Sequence, residues 1–128
     1  MNKILVVDDS LTDRTLIRRI LESKKYLVVE TGESDQVNDL IETEHPDLIL
    51  LDIILPGTNG YEICRNLKGG ADTKKIPIIF VSARKKTSDV YWGKLQGADD
   101  YLTKPVDPAE LLTVVEKFLG QTHNVQKN

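Results

Sequence analysis

The sequence predicts an α/β protein in which a doubly wound, five-stranded parallel sheet is covered by helices on both faces, forming a three-layer sandwich. Short apolar segments alternate five times with segments whose apolar residues recur at helical spacing. Residues 48–51 are apolar at every position and lead directly to Asp52, as expected for a strand buried on both faces. Because the carboxyl ends of parallel strands lie at one edge of a sheet, the polar residues that end these segments should converge there.

Composition indicates one ordinary globular domain over residues 1–120, followed by a short polar tail, 121–128, that we expect to fray. Of the 128 residues, 40% are hydrophobic and 29% are charged, and the net charge is −3. This acidic balance argues against a nucleic-acid partner. No apolar run approaches the ~20 residues that span a bilayer, and no signal peptide precedes the first strand, so we expect a cytoplasmic location without membrane association. The single cysteine excludes an internal disulfide.

The first half of the chain predicts two strands, each followed by a helix. Residues 4–7 form an apolar run that ends at Asp8 and Asp9. Ser10 then caps a helix, with Asp13 completing a capping-box pattern. The predicted apolar face of this helix comprises Leu16, Ile17, Ile20 and Leu21. A short strand at 27–29 precedes a second helix, which begins near Ser34 and ends at His45 and Pro46.

The second half repeats this alternation three times. A loop follows the strand at 48–51, and a third helix ends near Gly69, with Cys64 as a buried filler. The strand at 78–81 ends at Ser82, and a helix over 87–96 follows, weakened by Gly93 and with Trp92 expected to pack partly inward. The strand at 101–103 ends at Lys104. The last helix is predicted to begin at Pro108 and to end at Gly120.

The polar residues at the ends of four strands form a chemically consistent set. Three neighbouring carboxylates, those of Asp8, Asp9 and Asp52, require either a nearby cation or a raised pKa. Hard oxygen ligands favour Mg²⁺ as the cation, with Mn²⁺ as an alternative. Lys104 adds a fixed positive charge and Ser82 a hydroxyl. A carboxylate beside Mg²⁺ and a lysine can accept a phosphoryl group. Asp52, which ends the middle strand alone, is the predicted nucleophile, and the adjacent pair is predicted to ligate the metal.

These residues resemble the receiver domains of two-component response regulators, typified by the single-domain chemotaxis regulator. The resemblance covers essentially the whole chain. Its motifs are Val7-Asp8-Asp9-Ser10, Leu51-Asp52 with Pro56 and Gly60 four and eight residues later, Ser82-Ala83, and Tyr101-Leu102-Thr103-Lys104-Pro105.

The resemblance implies a phosphorylated signalling module rather than an enzyme. Asp52 would accept phosphate from a sensor histidine kinase or a phosphotransfer protein, and the Ile54 backbone carbonyl would complete the magnesium ligands. It also implies a flavodoxin-like (βα)5 sheet with strand order 2-1-3-4-5 and a cis peptide between Lys104 and Pro105. Ser82 and Tyr101 would act as a switch that changes the face formed by the fourth helix, fifth strand and fifth helix, and thereby controls a target protein.

Two positions that vary within this family should influence the lifetime of the phosphoryl group. Ile54 places an apolar side chain, and Arg84 a cationic one, beside the expected acyl phosphate. Neither residue can act as a general base for water. We therefore expect Ile54 to hinder the attacking water and to lengthen the lifetime, compared with an amide at that position.

Several alternatives remain open from the sequence. The chain could be a stand-alone monomeric regulator, similar to those of pilus-driven twitching or phototaxis, or a receiver excised from a larger regulator with a separate output domain. A haloacid-dehalogenase-type phosphatase also uses a strand-end Asp and Mg²⁺, but its general acid would fall at Ile54. A flavodoxin-type electron carrier would need a phosphate loop where the acidic pair Asp8-Asp9 stands.

Overall fold

A computed structural model describes residues 2–127 of the chain, with side chains described for residues 2–120. Its core is a five-stranded parallel sheet in the order β2-β1-β3-β4-β5. The strands are β1 (Lys3–Val7), β2 (Leu27–Thr31), β3 (Leu48–Leu51), β4 (Ile78–Ser82) and β5 (Asp100–Thr103). This order confirms the flavodoxin-like arrangement that the family resemblance implied, with β3 in the middle and its carboxyl end at the centre of one edge.

Helices cover both faces of this sheet. They are α1 (Leu11–Glu22), α2 (Val37–Glu44), α3 (Gly60–Gly69), α4 (Thr87–Leu95) and α5 (Pro108–Lys127), and a 3₁₀ turn (Ser34–Gln36) precedes α2. Among the described residues, none of these helices combines the length and the apolarity that crossing a membrane requires.

The core is divided into two layers by the sheet. Because successive strand residues point to opposite faces, Val6 and Leu50 pack with α1 and α5, whereas Val7 and Leu51 pack with α2 and α3. All four residues of β3 are fully buried. Cys64 lies in the second layer with no exposed surface, as predicted, and burial raises the pKa of its thiol to about 11.

Two predicted core positions are instead exposed. Leu16 is 42% exposed because α1 meets the sheet through Ile17, Ile20 and Leu21, and Leu16 lies at the edge of that stripe. Trp92 is 54% exposed, so the prediction that it packs partly inward was wrong. The face of α4 directed at the sheet is formed by Val90 and Gly93.

The ends of two helices also differ from the sequence prediction. Helix α5 continues past Gly120, where an end was predicted, to Lys127. The predicted frayed tail, 121–128, lies outside the part whose side chains are described. At the start of α1, the Asp13 N–H donates to Ser10 Oγ as predicted. The reciprocal half of the capping box is missing, because the Ser10 N–H donates to Asp8 instead.

Candidate functional site

Two central strands deliver the acidic residues to one edge of the sheet. Asp8 directly follows β1 and Asp52 directly follows β3, and the two residues are only 2% and 5% exposed. Asp9 is exposed beside them. One carboxylate oxygen from each of the three residues lies within 4.8 Å of the others. The structure therefore brings together the three carboxylates that the sequence assigned to one site.

Lys104 reaches across this cluster from the end of β5. Its ammonium lies 2.7 Å from Asp8 Oδ2, 2.8 Å from Asp52 Oδ2 and 2.9 Å from Asp13 Oδ2. The side chain is 14% exposed. The peptide bond from Lys104 to Pro105 is cis, as the family resemblance implied. The three contacts and the low exposure show that the lysine is directed into the acidic cluster rather than toward bulk solvent.

Burial and charge act in opposite directions on these groups. Burial alone would lower the pKa of the Lys104 ammonium, but the carboxylates of Asp13, Asp52 and Asp8 raise it above its ordinary value. Burial raises the pKa of Asp8, although Lys104 and the Ser10 N–H partly offset that effect. Lys104 therefore stays protonated at neutral pH, whereas burial destabilises the ionised form of Asp8.

The residues present are suited to a small divalent cation. Asp8 Oδ2 is buried and, despite its proximity to the Lys104 ammonium, makes no hydrogen bond of proper geometry. An unsatisfied, buried carboxylate oxygen beside two further carboxylates is what an oxygen-preferring ion such as Mg²⁺ would neutralise. The donor set contains oxygen and no sulfur or imidazole, which disfavours zinc.

The loop after Asp52 is shaped by a small residue at position 60. A Cβ atom on Gly60 would lie 2.9 Å from the Ile53 Cα and closer still to the Asp52 carbonyl oxygen. The Gly60 N–H donates to the Ile53 carbonyl at 2.8 Å. Any larger residue would therefore push the backbone that carries Asp52 out of position.

Ser82 and Tyr101 lie on the β4 and β5 side of the site. Ser82 is fully buried, and its Oγ accepts the Arg84 N–H at 3.3 Å. Tyr101 is 9% exposed, packs its ring 5.9 Å from that of Phe80, and donates its hydroxyl to the Arg84 carbonyl. Burial raises the pKa of Tyr101 to about 12, so the hydroxyl remains a donor. The tyrosine therefore bridges β5 and the loop before α4.

The two predicted lifetime-modulating residues line one surface pocket. Ile54 and Arg84 border it together with Tyr61 and Thr58. The Ile54 side chain is 51% exposed, and its N–H donates to Asp52 Oδ1 at 3.2 Å. The Arg84 guanidinium lies 3.7 Å from Asp89. The structure thus places both side chains beside the loop that follows Asp52.

Comparison with known proteins decides the family. The family model for the response regulator receiver domain matches residues 4–116. The chain belongs to this family. The same match favours a receiver over the phosphatase and electron-carrier alternatives.

Individual relatives agree with a receiver and differ in length. Protein PilH of Pseudomonas aeruginosa is 40% identical over 120 residues, which are 94% of this chain and 99% of PilH. The phosphate regulon transcriptional regulatory protein PhoB of the same organism is 41% identical over 119 residues, but this chain spans only 52% of PhoB.

Solved structures share the same fold. The BeF3-activated N-terminal receiver domain of Klebsiella pneumoniae RstA superimposes with a TM-score of 0.86 at 35% identity, covering 92% of this chain and 98% of that one. The chemotaxis protein CheY4 of Vibrio cholerae gives a TM-score of 0.85 at 25% identity, with 92% and 98% coverage.

Sequence reasoning missed two residues of this receiver site, both in α1. Asp13 was assigned to helix capping, yet its carboxylate contacts Lys104. Arg14 donates from Nη1 to the Asp8 carbonyl at 2.7 Å and from Nε to Glu30 at 2.8 Å. One sequence signal could have identified Arg14: α1 carries basic residues, and an acidic residue, Glu30, lies near the end of the following strand. Arg14 thus fixes the backbone that carries Asp8.

Proposed function

We propose that this receiver accepts a phosphoryl group on Asp52 from a phosphohistidine of a sensor kinase or a phosphotransfer protein. The observation that carries the proposal is the contact of 2.8 Å between Asp52 Oδ2 and the Lys104 ammonium, at a sheet edge that also holds Asp8 and Asp9. A buried carboxylate next to a fixed cation can bring its oxygen to phosphorus while the charge that develops on the phosphoryl oxygens is neutralised.

The transfer exchanges one bond to phosphorus for another. An oxygen of Asp52 forms the new bond as the phosphorus–nitrogen bond of phosphohistidine breaks, and the imidazole leaves with the electron pair. Lys104 can donate a hydrogen bond to a phosphoryl oxygen, because its charge is retained at neutral pH. Arg14 holds the backbone of Asp8 in place from outside the reacting centre.

A magnesium ion would be held by Asp8, Asp9, Asp52 and the Ile54 backbone carbonyl. The unsatisfied Asp8 Oδ2 and the clustering of the three carboxylates support the three aspartate ligands, whereas the Ile54 carbonyl is included because the family resemblance implies it. When bound, the ion supplies positive charge that offsets the repulsion between the carboxylates and the incoming phosphoryl group. Mn²⁺ has similar ligand preferences and is expected to substitute.

We further propose that Ser82 and Tyr101 report the modification to the face formed by α4, β5 and α5. Support comes from the hydroxyl of Tyr101, which holds the Arg84 carbonyl in the loop that leads into α4. On α4 itself, Tyr91, Trp92 and Leu95 are exposed. Large apolar side chains on a surface are suited to contact with a target protein.

The setting of this module is proposed to be that of a cytoplasmic, monomeric, single-domain regulator. The match to nearly the full length of Protein PilH supports a single-domain regulator, and the half-length match to PhoB represents the alternative of a receiver joined to an output domain. The cytoplasmic location and the monomeric state stay predictions from the sequence. A role in pilus-driven motility or phototaxis remains a prediction from the sequence.

The acceptor is tested by incubating the protein with Mg²⁺ and acetyl phosphate and measuring the intact mass. We expect the parent to gain one phosphoryl group and Asp52→Asn to gain none. Asp107→Asn removes the same charge at an exposed position just before α5 and serves as the matched control, which should be modified like the parent. Modification of Asp52→Asn at the parental level, or no modification of the parent, would contradict the proposal.

A further inference from the structure

The ammonium of Lys104 is surrounded by carboxylates and donates hydrogen bonds to two of them, those of Asp13 and Asp52. A protonated lysine carries three donors, and in the described part of the chain three carboxylates lie within 2.9 Å of Nζ. Two of them, Asp8 and Asp52, come from the strand ends. The third, Asp13, comes from the first turn of α1, 91 positions away from Lys104 in the chain.

A phosphoryl group on Asp52 would compete with these carboxylates for the Lys104 ammonium, which all three approach within 2.9 Å. Phosphorylation replaces a singly charged carboxylate by a group that carries more negative charge. The phosphoryl group therefore attracts the Lys104 ammonium more strongly than the carboxylate that it replaces, and it draws the ammonium away from its other partners. Which carboxylate releases its contact depends on how readily each one can be rehydrated.

Asp13 is the partner that can be released most easily. Its side chain is 36% exposed, whereas those of Asp8 and Asp52 are 3% and 7% exposed. A partly exposed carboxylate recovers its hydration when an ion pair opens, but a buried one does not. The Asp13 N–H donates to Ser10 Oγ, which holds the Asp13 backbone in place on α1. The Asp13 carboxylate therefore attracts the Lys104 ammonium toward a defined position beside α1.

We propose that Asp13 is a positioning residue that competes with the phosphoryl group for Lys104 and thereby lowers the phosphoryl occupancy of Asp52. This inference rests on the proposed function of Asp52. Asp13 has two effects in this arrangement: its contact restrains the ammonium on the α1 side, and its charge repels the phosphoryl oxygens. Both effects disfavour the phosphorylated form. The same charge also attracts the divalent cation, so the competition is measurable only when the cation is saturating.

The test is a titration with beryllofluoride, a mimic of the phosphoryl group, monitored by ¹⁹F NMR at saturating Mg²⁺. We expect Asp13→Asn to bind beryllofluoride more tightly than the parent by roughly two- to fivefold, the range that corresponds to a partly exposed ion pair. Equal or weaker binding in Asp13→Asn would overturn the proposal.

Asp107→Asn separates a specific contact from a general change of charge. Asp107 lies three residues after Lys104 and accepts the Glu110 N–H at the start of α5, and it is not among the described carboxylates that contact the ammonium. Asparagine retains the capping role. We expect Asp107→Asn to bind beryllofluoride as the parent does. A gain equal to that of Asp13→Asn would show that net charge is responsible, and the positioning role would be rejected.

A second measurement requires neither metal nor ligand. In urea unfolding without Mg²⁺, the single variants Asp13→Asn and Lys104→Met and their double variant form a double-mutant cycle. The contact predicts that the effects of the single variants do not add. Strict additivity would mean that the contact is absent in solution, and the proposal would fall.

The two proposals fail in distinguishable ways. A parent that binds beryllofluoride and is phosphorylated on Asp52, but whose affinity is unchanged in Asp13→Asn, overturns the role of Asp13 alone. A parent that neither binds beryllofluoride nor accepts a phosphoryl group overturns both.

Discussion

The ionised carboxylate of Asp8 is destabilised by its buried position at the end of β1. The residue is 2% exposed, and burial raises the pKa of its carboxyl group despite the ammonium of Lys104 at 2.7 Å. A carboxylate whose pKa is higher in the folded state is less stable as an anion there than in the unfolded chain. Without a bound cation, the ionised carboxylate of Asp8 therefore opposes folding at neutral pH.

Removing this charge should stabilise the fold. In the absence of Mg²⁺ at pH 7, Asp8→Asn should increase the free energy of unfolding by about 1 kcal/mol. Because the folded pKa is raised, the cost is fully present above that pKa and disappears as pH falls toward 3.8 and below, so the advantage of the variant should vanish there. Urea unfolding across this pH range measures the effect.

Asp9, the exposed neighbour of Asp8, provides the control for this prediction. Asp9→Asn makes the same change at an exposed carboxylate, where little desolvation is relieved, and should alter stability much less. A loss of stability in Asp8→Asn at pH 7 would show that the pairing with Lys104 outweighs the burial of the carboxylate.

The side chain at position 54 should set the lifetime of the phosphoryl group. Ile54 is 51% exposed, and it borders a surface pocket together with Arg84, so it can obstruct water that approaches the acyl phosphate. We expect Ile54→Asn to accelerate loss of the phosphoryl group about fivefold, equivalent to ~1 kcal/mol in the activation free energy. The decay of the phosphorylated mass after removal of acetyl phosphate provides the rate.

A conservative substitution tests the reason for this effect. Ile54→Val retains a branched apolar side chain and should leave the lifetime close to that of the parent. An unchanged lifetime in Ile54→Asn, or an equal acceleration in Ile54→Val, would contradict the role given to the apolar side chain.

At the scale of single elements, α4 shows how one small residue decides which face of a helix is buried. Gly93 was predicted to weaken this helix, and it is instead the buried point of contact with the sheet. A Cβ atom there would lie 3.0 Å from Phe80 Cδ2 and 3.2 Å from Tyr101 Cδ2. Trp92 is turned outward because the inward side has room only for backbone.

This packing predicts that Gly93→Ala destabilises the protein. The gain in helix propensity is about 1 kcal/mol, but overpacking against the fully buried Phe80 ring costs ~1–3 kcal/mol. We expect a net loss of about 1 kcal/mol in the free energy of unfolding, measured in urea.

Gly69→Ala is the matched control for this substitution. Position 69 ends α3, and an added Cβ atom there would meet nothing within 4 Å. This variant should be neutral or slightly stabilising. If Gly93→Ala were as stable as Gly69→Ala, the close contact with Phe80 could not be what orients α4.

At the scale of the whole molecule, the acidic edge couples metal binding to the stability of the fold. The proposed ligands follow β1 and β3, two strands that are paired to each other at the centre of the sheet. Their carboxylates come together only in the folded chain, so a ligand of this site favours the folded state.

Adding magnesium should therefore raise the stability of the protein. At a concentration 100 times the dissociation constant, we expect an increase of about 2.7 kcal/mol in the free energy of unfolding, and removal of the ion by EDTA should reverse it. Thermal unfolding monitored by circular dichroism shows the change. Asp9→Asn should lose most of this increase and Asp107→Asn should retain it. An equal increase in Asp9→Asn would place the ion elsewhere.

Much of this fold could be predicted because its signals are local. Short uninterrupted apolar runs bounded by turn residues, such as 48–51, favour strands buried on both faces, and their polar ends identify the edge where Asp8, Asp52 and Lys104 meet. The parallel arrangement then brings these residues together whatever the details of packing. The assignment of the acidic cluster therefore needed only the pattern of the chain.

The roles of Asp13 and Trp92 could not be predicted from the sequence, because the residues around each of them are compatible with two different local environments. Asp13 fits a helix cap from its neighbours, and only the packing of α1 beside the sheet edge brings its carboxylate to Lys104. Trp92 fits a buried or an exposed position, and contact between Gly93 and Phe80 decides in favour of exposure. The strands and the polar residues at their ends follow from local patterns in the chain. Which helix side chains reach those ends depends on distances between segments far apart in the sequence, and only the packed fold sets those distances.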